Sequence, residues 1–211
     1  VTFLLGHAMY KGALFLVAGI IDHEAGAKDI REASGLGRKL PVTAAFAAIA
    51  AASGAGLPPL FGFVGKELLL ESGANAGLVF GIAAIVAGAL VAGMLATLLL
   101  RIFFGPFSAK RPSAEVHEAP WSMLAGPVVL GIGSLGLGLA PGLAGFGILQ
   151  AAAQSVGAPA TPLNLALWHG FNLALLMSGL SLLAAVGVYL AWPRVKRGFA
   201  AWSWPERFGP E

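Results

Sequence analysis

Cysteine is absent from the 211-residue chain, and charged residues make up only 11% of it. Without cysteine the chain can form no disulfide, no catalytic thiolate and no Cys-ligated metal site. A soluble domain carries about 25% charged residues, so this scarcity of charge excludes an ordinary water-soluble fold. Thirteen Lys and Arg against ten Asp and Glu give a net charge of +3, which is too small to indicate a nucleic-acid partner.

Hydrophobic residues account for 57% of the chain, and the mean hydropathy is +0.82. A helix needs about 20 residues to cross a hydrocarbon core of about 30 Å. Five apolar runs reach this length, at residues 2–21, 41–71, 77–104, 121–141 and 168–192. We therefore predict an all-α integral membrane protein with about five transmembrane helices, surrounded by the lipid bilayer.

Basic residues occur only on alternate connections between these runs. Eleven of the thirteen Lys and Arg lie in 22–40, 101–120 and the tail after 192, whereas 72–76 and 142–167 have none. The positive-inside rule then predicts that the three basic segments are cytoplasmic. The chain begins at Val1 inside an apolar run, with no signal-peptide pattern, so we expect it to be a fragment of a longer protein.

The second run has an unusual length and a break near its middle. Residues 41–71 as one helix would be about 46 Å long, more than a bilayer core requires. Residues 54–59 (GAGLPP) contain consecutive prolines, which remove backbone donors and disfavour the helical conformation before them. We predict a discontinuous helix at 54–59, and broken helices at membrane depth are typical of ion sites in transporters.

Two lysines lie inside the apolar runs, where a charge costs several kcal/mol and indicates function by default. Lys66 follows the predicted break by about two turns, and Lys11 shares a helix face with His7 at a spacing of four residues. Asp22 lies three turns further along nearly the same face. Histidine and buried lysine can exchange protons near neutral pH, so we predict a proton relay of Lys66, Lys11 and His7. The alternative for Lys11 is a structural ion pair with a neighbouring helix.

Three further polar residues are weaker candidates. Glu67 is adjacent to Lys66 but points about 100° away on a helix. Glu71 lies one turn beyond Glu67, where an entry role and simple solvation at the helix end both fit. His169 begins the fifth run beside Trp168, a position typical of an interfacial anchor as well as of a proton carrier. No metal-binding or cofactor-binding motif is present, and we expect neither ligand.

Several segments resemble a known family. Residues 7–16 (HAMYKGALFL) and 56–67 (GLPPLFGFVGKE) resemble the antiporter-like subunits shared by respiratory complex I, membrane-bound hydrogenases and Mrp cation/proton antiporters. Three more segments are similar to the large A subunits of Mrp antiporters in particular: 19–31 (GIIDHEAGAKDIR), 117–120 (HEAP) and 167–172 (LWHGFN).

This resemblance implies a subunit of a multi-subunit cation/proton antiporter, which exchanges Na⁺ or another monovalent cation for H⁺ across a bacterial cytoplasmic membrane. The other subunits of the complex are the implied partners. Lys66 matches the lysine of the family's broken helix, Lys11 the lysine of the preceding polar helix, and His7 the histidine one turn before it. The family's first broken helix, with its own lysine and glutamate, has no counterpart in this chain.

The resemblance also suggests a division of the chain. Residues 1–141 would be the C-terminal part of the antiporter-like module, 142–167 an extracytoplasmic connection with a short helix near 143–156, and 168–192 an additional transmembrane helix. Residues 193–211 mix basic and aromatic side chains, which predicts an amphipathic tail on the cytoplasmic side. Ordinary anchoring by an aromatic belt is the alternative for this tail.

Two other functions remain open at this stage. A proton-pumping subunit of a complex I-like or hydrogenase complex would use the same lysines but take its energy from a redox arm. A non-transporting scaffold would hold the lysines for structural reasons, and replacing Lys66 would then impair assembly and not transport. The leading hypothesis is a subunit of a secondary transporter, which is not an enzyme.

Overall fold

The computed structural model describes residues 1–113, 115–144, 147, 149–157, 165–168 and 170–200. Eight α-helices lie in these ranges: α1 Thr2–Ala25, α2 Pro41–Ala55, α3 Phe61–Ala76, α4 Leu78–Phe103, α5 Trp121–Leu139, α6 Pro141–Ala144, α7 Gln150–Ser155 and α8 Leu173–Ala200. Two short 3₁₀ turns, Ile30–Glu32 and Leu36–Arg38, lie between α1 and α2. The prediction of an all-α membrane protein is confirmed.

Within the described residues, four helices are long and apolar enough to cross a membrane: α1, α4, α5 and the first 19 residues of α8, Leu173–Ala191. Their outward faces are covered with exposed apolar side chains, such as Leu78, Phe80 and Ile82 on α4. Soluble proteins rarely expose apolar surface of this extent, which is expected where lipid or another helix covers it. The chain is therefore a multi-pass membrane protein.

The second predicted span is discontinuous, as the sequence indicated. Helix α2 has 15 residues and α3 has 16, so each is only about 23 Å long and neither crosses the bilayer core alone. Helix α2 ends at Gly56, whose φ of 78° is a left-handed conformation that favours glycine. The chain resumes its helical path at Phe61, after the two prolines.

Close contacts with glycine and serine stabilise the break. The backbone N–H of Gly62 donates a hydrogen bond to Ser53 Oγ over 3.2 Å, and the Ser53 and Ser134 hydroxyls lie 3.0 Å apart. A Cβ on Gly138 of α5 would overlap the carbonyl oxygen of Pro59. The missing side chain therefore lets α5 pack directly on the irregular backbone, whose polar groups need partners inside a membrane.

The broken helix occupies the centre of the bundle. Helices α1, α4 and α5 pack against both of its halves, and α8 packs against α3 and α4. The connection between α1 and α2 pairs with the one between α4 and α5 through two backbone hydrogen bonds joining Ser34 and Ser108, of 2.9 and 3.0 Å. An ion pair of 2.9 Å between Lys110 and Glu32 adds to this contact. The two basic loops thus share one end of the molecule.

The predicted division also included a short helix near 143–156 and an amphipathic tail at 193–211. The short helix expected near 143–156 corresponds to α6 and α7 within the described residues. The backbone of α8 continues as helix to Ala200. The rest of the amphipathic tail predicted for 193–211, residues 201–211, lies outside the described residues.

Candidate functional site

Lys66 is buried at the centre of the bundle, beside the helix break. Its side chain has a relative exposure of 7%. The ammonium donates one hydrogen bond of 2.8 Å to the carbonyl oxygen of Ala55, at the end of α2, and a second of 2.8 Å to Ser181 Oγ on α8. Both acceptors are uncharged, and within the described residues no carboxylate forms an ion pair with Lys66. A lysine without a paired carboxylate can gain or lose a proton without breaking a salt bridge.

A small cavity connects Lys66 to the first helix. Its volume is about 110 Å³, which is enough for several water molecules, since one water needs about 10–15 Å³ on this measure. The polar side chains on its wall are Lys66, His7 and Tyr10. The remaining wall is apolar or glycine, contributed by α1, α2, α3 and α4: Phe3, Gly54, Gly62, Leu69, Leu70, Ala84, Ala87, Gly88 and Val91.

His7 and Tyr10 form a polar pair on the α1 side of this cavity. The Tyr10 hydroxyl and His7 Nδ1 lie 2.8 Å apart and share a hydrogen bond. The two rings meet edge to face, with centroids 5.0 Å apart, and the Phe3 ring is tilted against the imidazole with its centroid at 5.7 Å. Both residues can donate and accept a proton, so the cavity brings together three groups that could pass protons to one another.

Lys11 does not line this cavity. It lies on the exposed face of α1 with Leu4 and Phe15. Its ammonium lies 6.0 Å from the centroid of the Phe15 ring, a separation at which a cation–π attraction is weak. The spacing of four residues places Lys11 near His7 along α1, but the structure directs the two side chains to different surroundings.

The weaker candidates are distributed over both ends of the bundle. Glu67 is buried, and its Oε1 accepts a hydrogen bond of 3.1 Å from the Asn172 side-chain amide. Glu71 is exposed near the end of α3. Asp22 lines an open pocket of about 410 Å³ beside Lys28 and Asp29, at the end with the basic loops. His169 lies outside the described residues.

The end with the basic loops contains an arrangement that the sequence pattern did not reveal. Solvated charge is the expectation for residues 22–24 at a helix end, but Glu24 is buried, with 2% of its side chain exposed. His23 Nδ1 lies 2.9 Å from one of its carboxylate oxygens, and His117 Nδ1 lies 3.3 Å from the other. Glu24 is buried because the loop before α5 folds over the end of α1. There the backbone N–H of Arg111 donates a hydrogen bond of 3.2 Å to the Ala25 carbonyl.

Glu118 holds the start of α2 at this same end. Its carboxylate accepts hydrogen bonds from the Val42 N–H at 2.6 Å, the Thr43 N–H at 3.3 Å and the Thr43 hydroxyl at 2.6 Å. The first N–H groups of a helix have no partner within the helix, and a carboxylate both satisfies them and interacts favourably with the helix dipole. Residues 117–120 therefore tie the loop before α5 to α1 and α2.

Surface ion pairs organise the loop between α1 and α2. Hydrogen bonds from the Arg31 backbone and guanidinium hold the pKa of Asp29 below its usual range. The hydrogen bond from Lys110 likewise lowers the pKa of Glu32. Both carboxylates thus remain charged at neutral pH and offset part of the basic charge of this loop. Within the described residues, no group of three or more His, Asp or Glu side chains could hold a metal ion.

Sequence reasoning identified Lys66, Glu67 and His7 but missed the residues that accompany them, which are Ser181, Asn172 and Tyr10 respectively. Tyr10 could have been found from its position three residues after His7 on one helix. Ser181 and Asn172 could not, because they meet α3 only through contacts across 115 and 105 residues of sequence. A serine in an apolar run is too common in membrane helices to indicate which residue it contacts.

Comparison with known proteins gives consistent similarities. Residues 1–92 match the family model described as NADH:quinone oxidoreductase/Mrp antiporter, transmembrane. The chain is 36% identical over 192 residues to the A subunit of the Na⁺/H⁺ antiporter of Alkalihalophilus pseudofirmus, an alignment covering 83% of this chain and 24% of that protein. It is 37% identical over 192 residues to the A/B subunit of a probable K⁺/H⁺ antiporter of Rhizobium meliloti, covering 88% and 19% respectively. The chain thus spans about a quarter or less of the curated relatives it matches.

Solved structures show the same relationship. The Mrp complex from Dietzia sp. DQ12-45-1b contains a chain that superposes with a TM-score of 0.75 at 29% identity, covering 95% of this chain and 22% of that one. The membrane-bound sulfane sulfur reductase, an archaeal respiratory membrane complex, gives a TM-score of 0.59 at 27% identity, covering 89% and 31% respectively.

Proposed function

We propose that this chain forms part of a multi-subunit monovalent cation/proton antiporter, because it belongs to the family of transmembrane subunits of NADH:quinone oxidoreductases and Mrp antiporters. Within that family it is of the type found in Mrp A subunits. In this proposal Lys66 carries protons across the middle of the membrane. The other subunits of the complex are its partners, Na⁺ and H⁺ are the transported ions, and a bacterial cytoplasmic membrane is the location.

The observation that carries the proposal is the buried lysine at the helix break, held by two neutral acceptors. A charged group at membrane depth is costly and is retained where it serves transport. The proposal is supported by the small cavity, whose wall includes His7, Tyr10 and Lys66, and water in that cavity would complete a path for protons between α1 and α3. Displacement of one charge across 100 mV is worth about 2.3 kcal/mol, so a lysine that changes protonation couples naturally to the membrane potential.

The remaining candidates take subsidiary places in the same proposal. Lys11 would serve as a second relay lysine, on the exposed face of α1. Asp22 lies at the end with the basic loops, which the positive-inside rule assigns to the cytoplasm. Glu71 would line the opposite mouth, and Glu67, which is buried, would lie further inside. His169 stays a candidate proton carrier on the evidence of the sequence. Sodium is the proposed cation because the Alkalihalophilus relative is named for a Na⁺/H⁺ antiporter, while the Rhizobium relative is named for K⁺.

A redox-driven proton pump is the second candidate, since the family includes quinone oxidoreductase subunits and the chain resembles one in an archaeal respiratory complex. The higher TM-score and greater coverage with the Mrp complex favour the antiporter. A pump subunit would move protons only when its redox partner turns over. Exchange driven by a sodium gradient alone therefore distinguishes the two functions.

The test replaces Lys66 by alanine in the full-length subunit within its complex. Inverted membrane vesicles with an imposed ΔpH are treated with Na⁺, and dissipation of ΔpH is followed. We expect Lys66→Ala to reduce exchange at least about tenfold, to the level of vesicles without the complex. The reason is that, among the described residues, no other lysine lines this cavity. Lys110→Ala is the matched control, since this lysine forms a surface ion pair that contributes little to stability.

The amount of assembled complex is measured in the same vesicles. Normal exchange by Lys66→Ala contradicts the proposal. Loss of exchange in proportion to loss of assembled complex also contradicts it and favours the scaffold function. Proton translocation that needs a redox substrate and ignores Na⁺ would favour the pump.

A further inference from the structure

Lys66 donates hydrogen bonds to acceptors on two different helices, α2 and α8, and α8 lies outside the segment that matches the family model. That segment ends at residue 92, whereas Ser181 lies on α8. Ser181 is fully buried, with a relative exposure of 0%. Its hydroxyl donates to the Ser178 carbonyl over 2.8 Å. Because a serine hydroxyl has a single proton, only its lone pairs remain for the Lys66 ammonium, and Ser181 acts as an acceptor.

The approach of α8 to Lys66 depends on a gap in α4. A Cβ built on Gly88 would lie 3.3 Å from Lys66 Cε and 3.4 Å from Ser181 Oγ. The side chain of Lys66 therefore passes beside Gly88 to reach α8. A second contact supports this arrangement, since Asn172, the residue immediately before α8, donates to Glu67. Helix α8 and the residue before it thus contact both adjacent charged residues of α3.

We propose that Ser181 is a positioning residue for the Lys66 ammonium, which makes α8 a part of the ion-translocating site. The inference rests on the proposed function of Lys66. An ammonium has three N–H groups, of which Ser181 and the Ala55 carbonyl accept two. The third N–H group is then available to the cavity, whose wall also includes His7 and Tyr10. A neutral amine retains two N–H groups, so both fixed bonds persist while the proton at the third position is exchanged.

Among the described residues, few groups could affect this proton exchange. On the wall of the cavity, α1 contributes His7 and Tyr10, while α2 and α4 contribute no titratable side chain. On α3 the nearest charged neighbour in sequence is Glu67, which is bonded to Asn172. The hydroxyl of Ser181 is bonded to Lys66 and to the Ser178 carbonyl, so it acts on the site through Lys66.

The test measures the pH profile of Na⁺-dependent exchange in vesicles containing the full complex with Ser181→Ala. Loss of an acceptor leaves the ammonium less well stabilised, so we expect the alkaline limit of exchange to move to lower pH by about one unit, the size expected for one hydrogen bond to a charged group. Ser181→Thr keeps the hydroxyl and is expected to restore the wild-type profile. Ser178→Ala makes the same change one turn earlier at another buried serine, and is expected to leave the profile unchanged.

A wild-type profile for Ser181→Ala overturns the inference, as does an equal shift for Ser178→Ala, which would indicate a general effect of packing in α8. Should Ser181→Ala reduce the amount of complex, Ser181→Cys keeps the volume and provides only a weak acceptor; a shifted profile supports the inference and an unshifted one overturns it. Lys66→Ala separates the two proposals. If it abolishes exchange while Ser181→Ala changes nothing, the function of Lys66 stands and only the role of Ser181 fails.

Discussion

Gly88 allows the lysine site to form because it has no side chain. A methyl group at this position would lie 3.3 Å from Lys66 Cε, which is closer than side chains usually pack, and 3.4 Å from Ser181 Oγ, which is an ordinary contact distance. We expect Gly88→Ala to displace the ammonium from Ser181 and to lower Na⁺-dependent exchange roughly tenfold, since overpacking of this kind costs about 1–3 kcal/mol. The measurement is exchange per assembled complex in inverted vesicles.

Gly93→Ala is the matched control for this prediction. It lies on the same helix, and a Cβ there would have its nearest neighbour at 3.8 Å, an ordinary contact distance. Exchange should therefore be close to that of the wild type. Equal exchange by the two variants would show that the space at Gly88 is not needed for transport.

At the residue scale, the sequence indicated where a charge is energetically costly, but it did not indicate which groups that charge contacts. Lys66 stands out because a charge in an apolar run requires an explanation. Its acceptors, the Ala55 carbonyl and Ser181, depend on how three helices meet, which no local pattern specifies. The shared helix face of His7 and Lys11 was a local inference, but residues four apart still differ by about 40° around the helix. That offset is enough to place His7 at the cavity and Lys11 on the exposed face.

At the scale of elements, the broken helix was likewise predictable only in part. Its position was predictable because consecutive prolines cannot continue a helix. What holds the break was not, since Ser134 and Gly138 come from α5, about 80 residues later in the sequence. The burial of Glu24 also depends on a contact that is distant in sequence. The end of a helix is normally solvated, and only the fold of the loop before α5 buries this carboxylate between His23 and His117.

Glu118 provides a prediction about how α2 is held. Its carboxylate accepts three hydrogen bonds from the start of α2, and loss of a helix cap or of a charged hydrogen bond typically costs about 1–3 kcal/mol. We expect Glu118→Ala to lower the thermal stability of the detergent-purified complex by several degrees. Glu118→Gln, which retains one acceptor oxygen, should lie between Glu118→Ala and the wild type. The measurement is the midpoint of heat-induced loss of the assembled complex.

Glu115→Ala tests whether the effect belongs to the cap. Glu115 is exposed in the same loop, and its replacement removes the same charge without touching α2. An equal loss of stability in Glu115→Ala and Glu118→Ala would mean that charge in the loop matters and the hydrogen bonds do not.

At the scale of the whole molecule, hydropathy and charge were sufficient for the architecture. The five predicted spans correspond to α1, the α2–α3 pair, α4, α5 and the apolar part of α8. Membrane helices are predictable because each must be long and apolar regardless of its neighbours. The contact between the loops through Ser34 and Ser108 places both basic segments at one end, as alternation of charge requires. Which side of the membrane this end faces follows from the positive-inside rule and is a prediction.

The absence of cysteine gives a direct test of that orientation. Lys28 is exposed in the first basic loop, and Asn75 is exposed near the junction of α3 and α4 at the opposite end. Each is replaced by cysteine in a complex whose remaining cysteines have been removed. A membrane-impermeant maleimide should label Asn75→Cys in intact cells. Lys28→Cys should react only in inverted vesicles, because the basic loops lie in the cytoplasm.

Labelling after solubilisation in detergent serves as the control, since a site covered by another subunit would otherwise be mistaken for one on the far side. Both cysteines must react under that condition for the comparison to count. If Lys28→Cys then reacts in intact cells and Asn75→Cys does not, the orientation is reversed. In that case Asp22 would open to the outside and Glu71 to the cytoplasm, and the direction of the proposed proton path through Lys66 would be reversed with them.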